Sequence, residues 1–403
     1  MDEITSIGPR LRRLRTDHGM TQTELADRSS VSVELISKLE RGARQTAKLS
    51  SLTKIARGLD EDLSVLVGKS NRVKRVGEAG VLAVRDAVSD PALLPGLDAD
   101  DDGEPTDPAD LWAQVERAYG AYFAGHFGAL ASTLPHLLSE CRITRAALGP
   151  GPVAAAYAHA YQLAACLMIH TGKDDASLLA SERGIHAAAE GEDEFRLATL
   201  YGTYTWILLR MGRHSQAEAL AVRTAESIEP SWSTRNPRQL TAWGGQLLHA
   251  AVVAGAAERH DDAQQYLAQA KAGADLMGED RHDYWVSFGP TSVAMQEAHV
   301  WTAADQPTRV LQASERVDPR ALFPISYARH SLNEAAALER RRNVDEAIAV
   351  ADRAFQISPE WFRHQRFAGS VVTDLTSRKT QLPAALRRMA QACTEGQGMQ
   401  ANE

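Results

Sequence analysis

The chain has 403 residues, of which 44% are hydrophobic and 24% charged, and its formal net charge is −8. These values are ordinary for a soluble globular protein, and the length predicts two or more domains. No run of 18 apolar residues and no N-terminal signal peptide are present, so we expect a cytoplasmic protein without a membrane span. The widely spaced Cys141, Cys166 and Cys393 are expected to be buried or inert thiols in a reducing compartment.

Charge is distributed unevenly along the chain. Residues 1–75 contain 15 Lys and Arg against 10 Asp and Glu, a net charge of +5, so the remaining 328 residues carry −13. A basic head on an acidic body is expected where only the head approaches phosphate groups. This distribution argues against a protein that coats nucleic acid along its whole length.

Apolar residues at helical spacing predict three helices near the N-terminus. They are a first helix with Ile7, Leu11 and Leu14, a fourth with Leu52, Ile55, Ala56 and Leu59, and a short fifth with Leu63 and Leu66.

Two further helices are predicted between the first and the fourth. Thr21 and Glu24 form a Thr-x-x-Glu capping box, which opens a helix from Gln22 to about Arg28. After two serines, Ser32 can cap a helix over about 33–40, which Gly42 ends. The apolar Leu25, Ile36 and Leu39 are expected to lock these two helices together.

The stretch MTQTELADRSSVSVELISKLERG, residues 20–42, resembles the core of a Cro/C1-type helix-turn-helix of the XRE family. Five helices in about 65 residues resemble the whole repressor-type DNA-binding domain. The resemblance implies that the second helix of the motif enters the major groove of DNA. It also implies that Arg15 pairs with Glu40.

The same resemblance implies which side chains contact double-stranded operator DNA. Gln22 at its helix N-terminus is expected to bind a phosphate, with Arg41, Arg44 and Lys48 adding other phosphate contacts. The residues expected to face base edges are Val33, Glu34, Ser37 and Lys38.

A connector is predicted between head and body. Residues 80–88 can form one helix, which Asp90 and Pro91 end. Residues 98–107 (DADDDGEPTD) are acidic and contain Gly and Pro, so they cannot form a core of their own. They are either a solvated flexible linker or a segment whose carboxylates dock on the basic head.

From about Pro108 the body is predicted to be helical almost throughout, and it repeats. Turns with small polar residues recur, and anchoring them on the residue that follows each turn gives spacings of 38 to 47 residues, the anchors being Ala129, Ala176, Ala217, Ala263, Arg309 and Ala347. This period resembles tetratricopeptide repeats with lengthened helices. One helix pair cannot bury its own apolar face, so neighbouring pairs must stack into a superhelix.

Head and body together resemble the RRNPP peptide-pheromone receptors and, more closely, actinobacterial repeat-containing regulators. The stretches that suggest the second group are residues 80–85 (GVLAVR), 288–291 (FGPT) and 316–319 (RVDP), together with Ala-rich, Arg-over-Lys usage. Peptide receptors of the first group hold the ligand backbone with asparagines on inner helices. Here the body offers almost only Asn236 and Asn333, so a small molecule is considered beside a peptide.

An effector site is predicted on the first helices of the repeats, which line the concave face of such superhelices. Polar and aromatic groups that converge in a concavity are typical of ligand sites, although the same residues could serve ordinary packing. The candidates are Tyr157, Tyr161, Arg196, Thr203, Gln239, Trp243, Gln246, Thr291, His299, Arg329 and Asn333.

No enzyme motif is present: the sequence lacks His-Glu-x-x-His, Cys-x-x-Cys, a phosphate-binding glycine loop and Gly-x-Ser-x-Gly. His159 and His170 lie about 16 Å apart along one predicted helix, at 1.5 Å per residue, so they cannot share a metal ion. We therefore expect no catalytic residue, metal or cofactor.

The sequence thus predicts an all-α regulator with three parts. They are a DNA-binding domain over residues 1–70, a connector over 71–107, and a repeat domain for sensing and dimerisation over 108–395. Expected partners are operator DNA, a small-molecule or peptide effector and a second copy of the chain. The alternative is an interaction module whose repeats bind a partner protein and sense no diffusible ligand.

Overall fold

The computed structural model describes residues 7–44, 47–59, 61, 66, 76–94, 103–231 and 236–400. The chain divides into two compact units. Unit 1 consists of Met1–Val115 and Gly128–Ala156, and unit 2 of Glu116–Phe127 and Tyr157–Glu403. Each unit is described by itself below.

Unit 1 is helical in its described residues. Its helices are α1 (Ile7–Asp17), α2 (Gln22–Ser29), α3 (Val33–Glu40), α4 (Leu49–Gly58), α5 (Val76–Val88), a 3-10 turn (Pro91–Leu93), the first half of α6 (Pro108–Phe123), nearly all of α7 (Phe127–Leu148), a second 3-10 turn (Gly151–Val153) and the start of α8 (Ala154–His170).

The caps predicted from sequence form in the structure. The Thr21 hydroxyl accepts from the Glu24 N–H, and the Glu24 carboxylate accepts from the Thr21 N–H, which completes the capping box of α2. The Ser32 hydroxyl accepts from the Leu35 N–H at the start of α3. The predicted fifth helix at Leu63 and Leu66 lies largely outside the described residues.

The first helices of unit 1 share one apolar core, which includes the predicted residues Leu11, Leu25, Ile36, Leu39 and Ile55. A close approach of α1 to the end of α3 requires glycine at position 8. A Cβ atom added to Gly8 would lie 2.1 Å from the Leu39 carbonyl oxygen. The core and this contact together fix the position of α3 in unit 1.

The end of the predicted acidic connector contacts neighbouring elements of unit 1 through Pro105 and Thr106. The Thr106 N–H donates to the Thr144 hydroxyl of α7 at 2.9 Å, and Thr106 is buried. The Lys48 ammonium group donates to the Pro105 carbonyl at 2.9 Å. Residues 103–106 therefore contact both α7 and the segment that precedes α4.

Unit 2 contains helices that follow one another in pairs. Apart from the remaining parts of α6, α7 and α8, they are α9 (Asp174–Ala189), α10 (Glu194–Arg210), α11 (His214–Ser227), α12 (Pro237–Ala256), α13 (His260–Met277), α14 (Pro290–Ala303), α15 (Pro307–Ser314), α16 (Pro324–Arg340), α17 (Val344–Ile357), α18 (Pro359–Arg363), α19 (Arg366–Ser377) and α20 (Ala384–Gln400).

The repeat pattern is confirmed at the level of helices. Each predicted turn falls between two helices, for example residues 211–213 between α10 and α11. Consecutive helices pack on one another, and the first helices of successive pairs also contact each other, α10 with α12, α12 with α14 and α14 with α16. This second set of contacts is typical of stacked helix pairs, and it makes the first helices one continuous inner layer.

A β-hairpin interrupts the helical body between α13 and α14, where the sequence predicted no strand. Strands β1 (Arg281–Asp283) and β2 (Val286–Phe288) pair antiparallel, with Asp283 opposite Val286. The hairpin packs on α12 at the pair Gly244-Gly245. A Cβ atom added to Gly244 would lie 2.0 Å from the Phe288 ring, so only glycine fits there.

The two ends of the helix array in unit 2 contact each other. The Ser358 hydroxyl, at the start of α18, donates to the Gly125 carbonyl at 3.0 Å. The Gln365 amide donates to His170 Nδ1, at the end of α8, at 3.1 Å. A change of angle between successive pairs would therefore have to break or move contacts between the ends.

The structure confirms an all-α fold class with one small hairpin. Residues 151–170 are long and apolar enough to cross a membrane, but 89% of that window is buried in the protein, as in a core helix. The predicted burial of the thiols is also confirmed. Burial raises the pKa of Cys166 to about 12 and of Cys393 to about 11, which keeps both protonated.

Candidate functional site

An ion pair joins the first three helices of unit 1, as the family resemblance implied. Arg15 Nε lies 2.6 Å from Glu40 Oε1 and Arg15 Nη2 lies 3.0 Å from Glu40 Oε2, a bidentate geometry. The Gln22 amide also donates to Glu40 Oε2, at 2.7 Å. Burial alone would raise the pKa of Glu40, but the hydrogen bonds from Arg15 and Gln22 outweigh it and lower that pKa. Glu40 is therefore ionised at neutral pH.

The same contacts determine what Gln22 can do. Its side-chain amide is used by Glu40, so a phosphate at the start of α2 would meet the remaining amide N–H and the backbone of the helix N-terminus. Its role as a phosphate contact stays a prediction.

The outer face of α3 has no structural function in the described fold. Val33 is 39% exposed, and the side chains of Glu34 and Lys38 are 75% and 49% exposed. Glu34 and Lys38 form an i,i+4 ion pair at 3.1 Å, which is worth little at such exposure. Ser37 lies between them on this face, half-buried. The opposite face, with Ile36 and Leu39, is buried in the core.

The predicted phosphate ligands flank this face. Arg41 is exposed, and its Nε donates to the Ser37 carbonyl at 3.2 Å. Arg44 and Lys48 are half-buried and line a small pocket with Gly103 and Glu104. Lys48 must leave the Pro105 carbonyl before its ammonium group can bind a phosphate.

In unit 2 every predicted effector residue lies on the first helix of a pair. These residues fall into two separate groups and a third set whose side chains pack or cap within the fold.

The first group is a hydrogen-bonded network around His159. Arg196 Nη1 donates to His159 Nε2 at 2.7 Å, so the ring proton is on Nδ1, which donates to Gln162 Oε1 at 2.7 Å. Gln162 in turn donates to the Thr203 hydroxyl at 2.8 Å.

Burial lowers the pKa of His159 to about 3, and the charge of Arg196 adds to this effect. The ring is therefore neutral, in agreement with its acceptance of a hydrogen bond from Arg196. The network is a fully connected polar cluster between α8 and α10, and His159 and Gln162 were not among the predicted residues.

The hairpin closes over this network. Trp285 stacks on Tyr119 of α6, with ring centroids 4.1 Å apart and an angle of 8° between the planes. The Tyr284 hydroxyl donates to Asp193 Oδ1 at 3.0 Å, and the Arg196 guanidinium lies 5.1 Å from the Tyr284 ring centroid. Burial, and then the hydrogen bond to Asp193, raises the pKa of Tyr284 to about 12.

The second group is linked to Arg329 of α16, whose charge lowers the pKa of each of three histidines. It contains His170 of α8, His249 of α12 and His299 of α14, and we call these four residues the central cluster. The Arg329 guanidinium lies 5.8 Å from the ring centroid of Trp206, whose ring is also 5.1 Å from that of His170. The sequence predicted Arg329 and His299 but missed His249, Trp206 and a role for His170.

Several predicted effector residues have packing or capping roles instead. The Gln239 amide donates to the Ile228 carbonyl at the end of α11, and Trp243 is buried in the core with Phe288. The Tyr157 and Tyr161 hydroxyls are hydrogen-bonded to each other at 3.0 Å and both rings are buried. The buried Thr291 hydroxyl accepts from the Asp318 N–H at 3.4 Å. The part of these side chains in effector binding stays a prediction.

The two asparagines also differ in role. Asn236 caps α12, since its side chain accepts from the Arg238 and Gln239 N–H groups. Asn333 is buried on α16, and its hydrogen bond with His299 of the central cluster acts to raise the pKa of that histidine. Gln246 donates to the Ala198 carbonyl at 2.5 Å, and its buried Oε1 has no hydrogen-bond partner among the described residues.

Within the described part of the chain, no group of three or more His, Cys, Asp or Glu side chains is placed to hold a metal ion. The two groups offer hydrogen bonding, aromatic contact and the cations Arg196 and Arg329.

Comparison with known proteins identifies the N-terminal domain. Residues 11–66 match the sequence model of the family described as Helix-turn-helix. No curated protein matches the chain. Among solved structures, the chain is similar to the apo form of the competence regulator ComR from Streptococcus vestibularis, with 13% identity and a TM-score of 0.23. That match covers 85% of this chain and 97% of the other.

Proposed function

Residues 11–66 form a helix-turn-helix domain of the Cro/C1 type, and from this premise we propose that the protein is a sequence-specific transcriptional regulator. In this proposal it is a cytoplasmic homodimer that binds operator DNA and has no enzymatic activity. Its repeats bind a small-molecule or peptide effector, which changes the affinity for DNA.

The observation that carries the DNA-binding proposal is the exposed face of α3. Its residues have the chemistry of base readout: Lys38 suits guanine O6 or N7, Glu34 a cytosine amino group and Val33 a thymine methyl group. Because one face of α3 is fixed in the core and the Arg15–Glu40 pair holds its end, the exposed face is presented on a rigid element. Gln22, Arg41, Arg44 and Lys48 are the proposed phosphate contacts around it.

Effector binding by unit 2 is supported by its interior. Buried polar atoms normally have hydrogen-bond partners, and those without one mark a site for water or a ligand. Gln246 Oε1 has none among the described residues, and it belongs to the inner layer.

The alternative of a protein partner has less support. A surface for another protein is expected to show a contiguous exposed apolar patch. Of the described residues of unit 2, the large hydrophobic side chains counted as exposed are Met211 and Phe367, which lie on different helix ends.

Effector and DNA are proposed to communicate through the inter-helix angles of the repeat array. Each pair touches its neighbours, so small changes of angle add along the array and alter the separation of two heads in a dimer. The coupling must be reciprocal: operator DNA changes effector affinity by the same factor, which is typically equivalent to about 1–3 kcal/mol.

The proposal is tested by comparing two head variants on an operator obtained by selection from random duplexes. Lys38→Ala should weaken operator binding by about 1–3 kcal/mol and relax the preference at one base pair, because a base contact is lost. Arg44→Ala should weaken binding to all sequences alike, because a phosphate contact carries no sequence information.

Fluorescence anisotropy at a fixed salt concentration, with the operator and its single-base variants, measures both effects. Lys271→Ala removes an exposed positive charge from unit 2 and should bind like the wild type. If Lys38→Ala retains the base preferences of the wild type, α3 does not read DNA in the proposed way.

A further inference from the structure

Arg329 is a cation that the described structure encloses without a partner. It forms no ion pair or hydrogen bond with any described residue, and its guanidinium lies 5.8 Å from the ring centroid of Trp206. Its side chain is half-buried. Burial lowers the pKa of Arg329, but an arginine side chain remains protonated in proteins.

The groups around Arg329 are neutral or positive. Burial and the charge of Arg329 lower the pKa of His249 and of His299 to about 4 each, and that of His170 well below its usual value. No described carboxylate contributes to any of these three shifts. The central cluster is therefore one fixed positive charge among neutral imidazole rings.

Hydrogen bonds to residues of other helices fix the neutral tautomer of His170. The Gln365 amide donates to its Nδ1 at 3.1 Å, so the proton is on Nε2, which faces the Tyr122 hydroxyl at 3.4 Å. The single N–H group of this neutral ring faces Tyr122, so His170 adjoins Arg329 without adding charge and does not itself donate to a ligand. Aromatic rings adjoin the same place, since Trp206 contacts both His170 and Arg329.

An enclosed charge without a counter-ion is costly, because a protein interior solvates it poorly. The planar guanidinium forms two parallel hydrogen bonds with a carboxylate, which offsets this cost better than any neutral ligand. The charge of Arg210 also lowers the pKa of His170, so the surroundings of the central cluster are cationic and favour an anion.

We propose that the central cluster binds the carboxylate of the effector, with Arg329 as its main ligand and Trp206 against an adjoining apolar part. The carboxylate belongs to a small aromatic or aliphatic acid or to the C-terminus of a peptide. This assignment rests on the proposed function only in taking the bound carboxylate as the effector. Binding is measured without DNA, so the site and the regulator proposal can fail separately.

The first experiment compares carboxylates with their amides on the intact protein by isothermal titration calorimetry. The probes are indole-3-acetate against indole-3-acetamide, and N-acetyl-Leu-Leu-Trp with a free C-terminus against the same peptide amidated. Each carboxylate should bind at least tenfold tighter than its amide, and the tighter of the two carboxylates identifies the source. Equal affinity within both pairs, or no binding of either carboxylate up to 10 mM, overturns the proposal.

The second experiment uses Arg329→Met, which removes the charge and keeps a long side chain. In a buffer whose only anion is chloride, this variant should have a higher Tm than the wild type by about 2–4 °C, because an uncompensated charge is gone. It should also lose the preference for carboxylates, while Arg329→Lys keeps a weakened preference.

Arg320→Gln is the matched control, because the Arg320 side chain is 92% exposed and should affect neither measurement. A lower Tm in Arg329→Met would show that Arg329 is a structural residue and would contradict the assignment. Retained preference for carboxylates in that variant would contradict it as well.

Discussion

Glu40 links three helices of the DNA-binding head through one carboxylate. It accepts hydrogen bonds from Arg15 at 2.6 and 3.0 Å and from Gln22 at 2.7 Å. Its pKa in the folded state is lower than the usual 4.5, because these hydrogen bonds outweigh burial. A group with a lowered folded pKa contributes stability above its unfolded pKa, and this contribution is lost as the pH falls through the folded value.

We therefore predict that acid loosens the head at pH values below about 4.5 and that Glu40→Gln reduces this pH dependence. At neutral pH the variant should open more easily by about 1–3 kcal/mol, because hydrogen bonds to a charged acceptor are lost. Hydrogen exchange of α1–α3 in the intact chain, corrected for intrinsic rates, measures both effects. The exposed Glu34→Gln is the control, and an unchanged pH profile in Glu40→Gln would refute the assignment.

At the scale of residues, some contacts could be predicted from the sequence and others could not. Caps and the Arg15–Glu40 pair involve short-range patterns or a family motif, so they were found and are confirmed. Trp243 was a natural candidate for an effector contact, but it packs against Phe288. Trp243→Ala is thus expected to destabilise unit 2 rather than to remove a specific response. The isolation of Arg329 could not be predicted, because the absence of a partner depends on tertiary packing.

At the scale of elements, the turns between helices were predictable and the hairpin was not. Each turn combines small polar residues with the start of a new apolar stripe, and all six lie between helices. The hairpin has strands of three residues, and its turn lacks the usual Asn-Gly signal. One indirect signal existed: the pair Gly244-Gly245 within a helix, which is where the hairpin packs.

The hairpin turn has an unfavourable backbone that its contacts must offset. Tyr284 and Trp285 have φ of 51° and 65°, in the left-handed region that glycine adopts most easily. Such a residue costs about 1–2 kcal/mol. Stacking of Trp285 on Tyr119 and the hydrogen bond of Tyr284 to Asp193 act against this cost.

In a helix, alanine is more stabilising than glycine. At position 285 we expect the reverse order of stability. Trp285→Ala and Trp285→Gly both lose the stack on Tyr119, so both should be less stable than the wild type. Trp285→Gly should be the more stable of the two by about 1 kcal/mol, since glycine tolerates positive φ. Urea denaturation of the intact protein measures the difference. If the alanine variant is the more stable one, the turn is not strained as described.

At the scale of the whole molecule, the charge distribution agrees with DNA binding by the head alone. Residues 1–75 carry a net charge of +5, while the remaining residues of the chain carry the negative net charge. Nonspecific contact of the body with DNA is therefore opposed by electrostatic repulsion, and binding should weaken steeply with salt. The domain boundaries at residues 70 and 107 and the homodimer remain predictions.

In vitro selection from a library of random duplexes, with the intact protein at physiological ionic strength, tests the central claim most directly. One head reads one half-site, so a dimer requires two half-sites about one helical turn apart, related by two-fold symmetry. We predict enrichment of such a palindromic sequence by the wild type and a relaxed base pair in each half-site with Lys38→Ala. Failure to enrich any sequence would contradict the assignment of this protein as a DNA-binding regulator.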